Sequence, residues 1–116
     1  MRDFHELNVW RKAHQFSLEI YRQTQDFPSE ERFGLTSQLR RAAVSVASNI
    51  AEGCGRDGER DFARFLSIAA GFASEVEYQL LLSRDLRYMP NEHHIQLDIQ
   101  INEIKRMLNS FIQKLR

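Results

Sequence analysis

The sequence predicts an all-α protein, an antiparallel up-down-up-down four-helix bundle formed by residues 1–116 as a single domain. Three observations lead there. Pro and Gly are scarce, 2 and 5 residues in 116, so few positions interrupt a helix. Apolar residues recur at three- and four-residue spacing in four separate segments, the period of a helix that buries one face. No run alternates apolar and polar residues as a half-buried strand would, and no internal repeat competes. Four amphipathic helices with short connections bury their faces by packing antiparallel.

The first helix is expected from about Asn8 to Gln25, led in by Phe4, Leu7 and Trp10. Val9, Ala13, Phe16 and Ile20 form its stripe, and Phe27-Pro28 ends it, because the residue before proline is pushed out of helical geometry. Ser29-Glu30-Glu31-Arg32 reads as a short capped turn with its acids at the N-terminus. Gly34 permits a bend, and Thr36 is the expected cap of the second helix.

That second helix organises the chain. Leu35, Leu39, Ala42, Ala43, Val46 and Ile50 share one face, and Gln38, Arg41, Ser45, Asn49 and Glu52 follow a narrow polar stripe. Its back carries Val44, Ala47 and Ala51 where an ordinary surface helix is charged. The helix therefore reads as covered on more than one side, with Val44, Ala47 and Ala51 as an oligomer interface. Gly53 is the expected left-handed closure.

A third helix should start near Asp57 or Gly58 and run to about Arg87, with Phe62, Phe65, Ala69, Phe72, Val76 and Leu80 in register. Gly71 inside it predicts a close helix crossing, since glycine there costs about 1 kcal/mol against alanine. Tyr88-Met89-Pro90-Asn91 forms the last turn, with Pro90 at the first helical position. In the fourth helix Leu97, Ile101, Ile104, Leu108, Phe111 and Leu115 make nearly three heptads. Ile95, Ile99, Met107 and Ile112 beside that seam exceed what one partner helix needs to cover.

Formal net charge is +0, so no global field draws the chain onto nucleic acid or an anionic membrane. Thirteen of the 16 basic residues are arginine, with lysine only at Lys12, Lys105 and Lys114. Arginine suits bidentate pairing with carboxylates or phosphates, and inter-helix ion pairs are the expected use. Cys54 is the only cysteine, which excludes an internal disulfide and suits a reducing cytoplasm. Residues 1–6 contain no apolar signal core, and no stretch approaches the ~20 apolar residues of a spanning helix. A cytoplasmic protein without membrane contact is expected.

Several motifs resemble a known family. They are Phe4-x-x-Leu7-x-Val9-Trp10-x-x-Ala13, Phe27-Pro28-x-x-Glu31-x-Phe33-Gly34-Leu35, Gln38-Leu39-Arg40-Arg41-Ala42-Ala43-x-Ser45 and Asn49-Ile50-Ala51-Glu52-Gly53. In order, and continued by Phe62, Phe65, Ala69 and Glu75, they resemble the four-helix-bundle proteins encoded in intervening sequences of bacterial 23S ribosomal RNA genes. The resemblance implies an antiparallel four-helix bundle assembled as a homopentamer. More distantly, the chain is similar to the accessory protein of diversity-generating retroelements, which as a pentamer binds a reverse transcriptase and RNA. The partners so implied are further copies of the chain, and RNA or an RNA-associated protein.

Among candidate sites, Gln38, Ser45, Asn49 and Glu52 are expected as buried polar interface residues, forming with Arg41 one hydrogen-bonded line. Arg40, Arg41, Arg56, Arg60 and Arg64 are the candidate phosphate contacts. Gly53-Cys54-Gly55-Arg56-Asp57-Gly58 spells G-x-G-x-x-G, but a helix precedes it where a dinucleotide site needs a strand, so it reads as a cap and turn. Arg87 and His93 match the R-x(4–6)-H spacing of helical-bundle ribonucleases and form the alternative, enzymatic reading. The four histidines lack ligand spacing, no nucleophile–base pair is evident, and Cys54 at a helix C-terminus reads as inert. Neither a metal nor a cofactor is expected. The reading is a non-enzymatic oligomeric scaffold for RNA or an RNA-associated protein, with a purely protein-binding assembly module as a further alternative.

Overall fold

Four helices, α1 (Asn8–Gln23), α2 (Leu35–Cys54), α3 (Glu59–Asp85) and α4 (Asn91–Leu115), carry the fold in the computed structural model, which describes residues 1–116. Short 3-10 turns at Phe4–Glu6, Thr24–Asp26 and Ser29–Glu31 complete the regular structure, and there is no strand. Each helix packs on its neighbours in sequence, and α4 closes back on α1 more loosely. The result is a square four-helix bundle of 43 × 23 × 20 Å. Its length matches α3, about 40 Å at ~1.5 Å per residue. No helix is long and apolar enough to cross a membrane.

The core is one contiguous cluster to which all four helices contribute, including Phe16, Ile20, Leu39, Ile50, Leu66, Leu80, Ile101 and Leu108. The predicted face of α2 is buried throughout, from Leu35 to Ile50. In α4 the seam holds through Leu97, Ile101, Ile104 and Leu108, then passes to Ile112, while Phe111 and Leu115 are half buried. A straight helix drifts about 20° per heptad against a 3.5-residue repeat, which rotates Ile112 inward. Polar ties cross the helix pairs: Ser17 Oγ donates to the Ala43 carbonyl at 3.2 Å, Lys12 meets Glu103 at 2.8 Å, and Lys105 meets Glu77 at 2.7 Å.

Several element ends differ from expectation. Helix α1 stops at Gln23, where the chain tightens into the 3-10 turn and Thr24 Oγ1 donates to the Ile20 carbonyl at 2.7 Å. Helix α2 begins at Leu35, and Thr36 does not cap it. Its cap is Glu31, whose Oε1 accepts the Leu35 N–H at 3.0 Å, leaving Thr36 buried in the first turn. The Ser29–Glu31 turn has no side-chain cap, and Pro90 precedes α4 in extended geometry, so the helix begins at Asn91.

Neither of the two glycines of interest has the role expected of it. Gly53 lies inside α2, where an added Cβ would stand 2.8 Å from Phe65 Cβ and 3.1 Å from Phe62 Cδ1. It is the close crossing of α2 on α3, not a left-handed cap. Gly55 ends α2 with φ −80°, and the left-handed glycine is Gly58, φ +88°, at the entry to α3. Gly71, expected at a crossing, faces open space. Helix α3 instead ends in a Schellman turn: Tyr88 N–H donates to the Ser83 carbonyl at 2.9 Å, with Arg87 left-handed at φ 63°.

Candidate functional site

The outer face between α1 and α2 carries an apolar groove of about 410 Å³. One wall is Trp10, His14, Leu18 and Tyr21, successive turns of α1, and the other is Val44, Ala47, Ser48 and Ala51 of α2. Large side chains on α1 against small ones on α2 leave a furrow, because the α2 side chains are too short to fill the space beside the α1 wall. Leu18 and Tyr21 are each 46% exposed and Val44 38%, so this apolar surface is unpartnered in the single chain. The His14 ring lies parallel to Trp10, 5.1 Å between centroids and 4° between planes, and Phe4 tilts against Trp10 at 4.7 Å. On the opposite side of the bundle, Glu77 of α3 accepts from Asn102 at 3.0 Å and Lys105 at 2.7 Å across the α3/α4 seam. The Lys105 ammonium first, and then the Asn102 amide, hold the Glu77 carboxyl below its ordinary range. Leu81 lies one turn along from Glu77, and Ile95 and Ile99 share the stripe of Asn102, so these three exposed residues border that polar cluster.

The arginines fall in two places. Arg56 and Arg64 lie over the Phe65 ring at 4.9 and 4.5 Å. Arg56 reaches Glu52 at 3.1 Å and Asp61 at 3.9 Å, and Arg64 reaches Asp61 at 2.9 Å. Arg60 is exposed and makes no ion pair, and it lines a shallow cavity of about 690 Å³ with Arg64, Ser67 and Arg116. Asp57 and Asp61 line the same cavity. Sixteen residues earlier on α2, about 24 Å away along the axis, Arg40 is committed to the fold. Its Nε donates to Thr24 Oγ1 at 2.8 Å, its Nη2 to the Tyr21 carbonyl at 3.3 Å, and its guanidinium covers the Tyr21 ring at 4.7 Å. Arg41 is exposed and unpaired. Expected inter-helix arginine pairs are replaced by pairs within a turn (Arg22 with Glu19, Arg84 with Asp85) and by stacking on aromatic rings. The two ion pairs between the long helices are made by lysines, whose flexible stems reach across a seam, while guanidinium groups such as Arg40 and Arg64 stack on aromatic rings.

Residues 5–110 match the family described as 23S rRNA-intervening sequence protein. The chain belongs to this family. A solved structure from Bacteroides thetaiotaomicron, described as a protein of unknown function from the S23 ribosomal protein family, is 28% identical with a TM-score of 0.84. The match covers 90% of this chain and 95% of that one. No curated protein matches.

In this intervening-sequence family member the polar stripe of α2 does not link into one hydrogen-bonded line within the single chain. Gln38 and Glu52 are exposed and Ser45 and Asn49 half buried, Asn49 Nδ2 donates to the Ser45 carbonyl at 2.7 Å, and Glu52 turns to Arg56. Ala47 is buried, Ala51 half buried and Val44 exposed, all three lining the groove. The glycine-rich segment is the end of α2 and the turn into α3. Cys54 is buried there, and burial pushes its thiol up. Arg87 and His93 lie on either side of Pro90, Arg87 exposed in its left-handed turn and His93 half buried in the first turn of α4. Sequence reasoning missed the α1 wall of the groove and the place of Arg116. The Trp10, His14, Leu18, Tyr21 spacing of four, four and three was the available signal for the wall. The Arg116 position depends on how α4 returns to α3, which no local pattern encodes.

Proposed function

We propose that this protein is a non-enzymatic cytoplasmic subunit of a homo-oligomeric scaffold. The α1/α2 groove of one copy receives the α3/α4 flank of the next, and the assembly holds RNA at Arg56, Arg60 and Arg64. One observation supports it above all: the apolar furrow between α1 and α2 and the exposed Leu81, Ile95 and Ile99 of α3 and α4 are two unlike apolar surfaces on opposite sides of one bundle. Unlike faces pair head to tail, and such pairings close into rings, whereas a two-fold dimer would use one self-complementary patch. Five copies is the number implied by the family resemblance. Arg60 has no carboxylate partner, and Arg56 and Arg64 are held in orientation by Phe65. With a net charge of +0, affinity comes from repeating this cluster around the assembly rather than from a long-range field.

Size-exclusion chromatography with light scattering, reading 260 and 280 nm on protein purified without nuclease, tests both parts. The expected result is a discrete oligomer carrying nucleic acid that salt removes. Val44→Glu, which sets a charge in the furrow, is expected to yield monomers that keep their helicity. Arg60→Glu with Arg64→Glu is expected to lower RNA affinity and flatten its salt dependence by about one unit for each phosphate no longer neutralised. A wild-type monomer overturns the scaffold, and a clean oligomer indifferent to RNA makes it a protein-binding assembly module. RNA cleavage abolished by His93→Ala would replace this reading with the ribonuclease one.

A further inference from the structure

We infer that the end of the bundle where α2 gives way to α3 is a recognition site for an arginine in an extended peptide. In this structure the chain's own Arg2 fills it, and an arginyl peptide of a partner protein displaces Arg2 to bind. The inference is independent of both the assembly and the RNA reading. Phe62 of α3 and Phe111 of α4 meet edge to face there, 5.3 Å between centroids and 84° between planes. The Arg2 guanidinium lies over both rings, 4.7 Å from Phe62 and 5.8 Å from Phe111. Both distances fall within the ~6 Å over which an aromatic face attracts a cation. Arg2 Nη2 stands 3.6 Å from Glu59 Oε1. The Arg2 N–H donates to the Cys54 carbonyl at 2.8 Å, one of the carbonyls that a helix end leaves without an intrahelical partner.

Three kinds of group thus converge on one residue from three helices. The rings and the carboxylate select a planar cation, and the carbonyl takes the main-chain amide of the same residue, which fixes the register of the peptide. A lysine ammonium, compact and strongly hydrated, gains less from two ring faces than a guanidinium does. The other cation lining this cavity of about 280 Å³ is Arg56, which lies over Phe65 and pairs with Glu52 at 3.1 Å. Glu59 is therefore left to the occupant. The site, rather than the arm, holds Arg2 in place. Met1 beside it is 87% exposed, and the turn Phe4–Glu6 has no buried residue, whereas the Phe62 floor is 2% exposed. From Phe4 onward the arm is anchored to α1, Phe4 against Trp10 at 4.7 Å and the His5 carbonyl accepting from Arg11 Nε at 2.9 Å. Arg2 can therefore leave while the rest of the arm stays, a weakly held cover over a fixed floor.

A tether this short sets the scale of the competition. At an effective concentration on the order of 1 mM, an arm docked about nine-tenths of the time corresponds to an intrinsic dissociation constant of about 0.1 mM and weakens a competing peptide about tenfold. The test titrates an amidated synthetic peptide of residues 1–7 into the full chain by calorimetry, comparing wild type with Arg2→Ala. Arg2 and Glu59 are both exposed, so substitutions there leave the bundle folded, which circular dichroism checks. The expected result is binding to Arg2→Ala that is about tenfold tighter than to wild type. Arg2→Lys in the peptide, and separately Glu59→Gln in the Arg2→Ala chain, are expected to weaken that binding. No binding to Arg2→Ala, or equal affinity for the two chains, overturns the site. Equal affinity for the arginine and lysine peptides, or indifference to Glu59→Gln, overturns the recognition of arginine by these groups.

Discussion

The Tyr88 hydroxyl donates to Glu31 Oε2 at 2.9 Å while Oε1 of the same carboxylate accepts the Leu35 N–H at 3.0 Å. One side chain thus caps α2 and fastens the α3–α4 turn to the α1–α2 connection, 57 residues apart in sequence. The Leu35 amide first, then the Tyr88 hydroxyl, hold the Glu31 carboxyl below its ordinary range, and Glu31 in turn pushes the Tyr88 phenol up. Tyr88→Phe is expected to lower Tm at pH 7, with a difference that narrows below about pH 4 as Glu31 takes up a proton. A Tm difference independent of pH, followed by circular dichroism, would show that the hydroxyl acts through packing alone.

Acid sensitivity follows from the same sign. Glu31, Glu77 and Glu103 are all held below the ordinary glutamate value of 4.5, Glu77 chiefly by Lys105 and Glu103 chiefly by Lys12. A depressed folded value means that the unfolded chain binds protons first, so the stabilisation is complete above 4.5 and is lost as pH falls through the depressed values. Tm is expected to fall in that window. Glu77→Gln should start lower at pH 7 and fall less steeply, and parallel curves would remove Glu77 from the account.

Gly53→Ala and Gly71→Ala should move stability in opposite directions. The Cβ at position 53 meets Phe65 Cβ at 2.8 Å, and neither backbone nor ring can withdraw, so overpacking costs about 1–3 kcal/mol. At position 71 nothing lies within 4 Å, and alanine should gain about 1 kcal/mol of helix propensity. Urea denaturation of the two variants measures both, and a stabilised Gly53→Ala would contradict the crossing.

Arg87 occupies a left-handed position, φ 63°, that favours glycine. Arg87→Gly should therefore raise stability by about 0.5–1 kcal/mol, the relief of strain exceeding the added freedom of the unfolded chain. If instead Arg87 were anchored through its side chain, the same substitution would lower the urea midpoint.

Much of the fold was legible in the sequence because burial writes a period into it. The faces of α2 and α4 follow helical spacing closely enough for Leu39, Ile50, Ile101 and Leu108 to be placed in the core before any tertiary neighbour is known. Glycine chemistry was less legible. Gly53 sits where a cap was expected and Gly71 where a crossing was, since close approach depends on the residue across the seam, here Phe65, and not on the glycine's own neighbours. The cap of α2 is not Thr36 for a similar reason: Glu31, four residues before Leu35, reaches the free Leu35 amide, a longer range than the usual short-side-chain cap. Of the candidate arginines, Arg56, Arg60 and Arg64 gather at one end of the bundle, and Arg40 is consumed by Thr24 and Tyr21.

By itself the sequence determined an all-helical chain, four helices, their order, the inward face of each and the family. Those properties are local, set by periodicity, breakers and ordered motifs. Tertiary structure alone decided which arginines are free, that α1 supplies the larger wall of the apolar groove, and that His14 stacks on Trp10 in that wall. Pairing and exposure belong to surfaces that meet across helices, and a side chain's charge is satisfied or left open only by what the opposite helix brings to it.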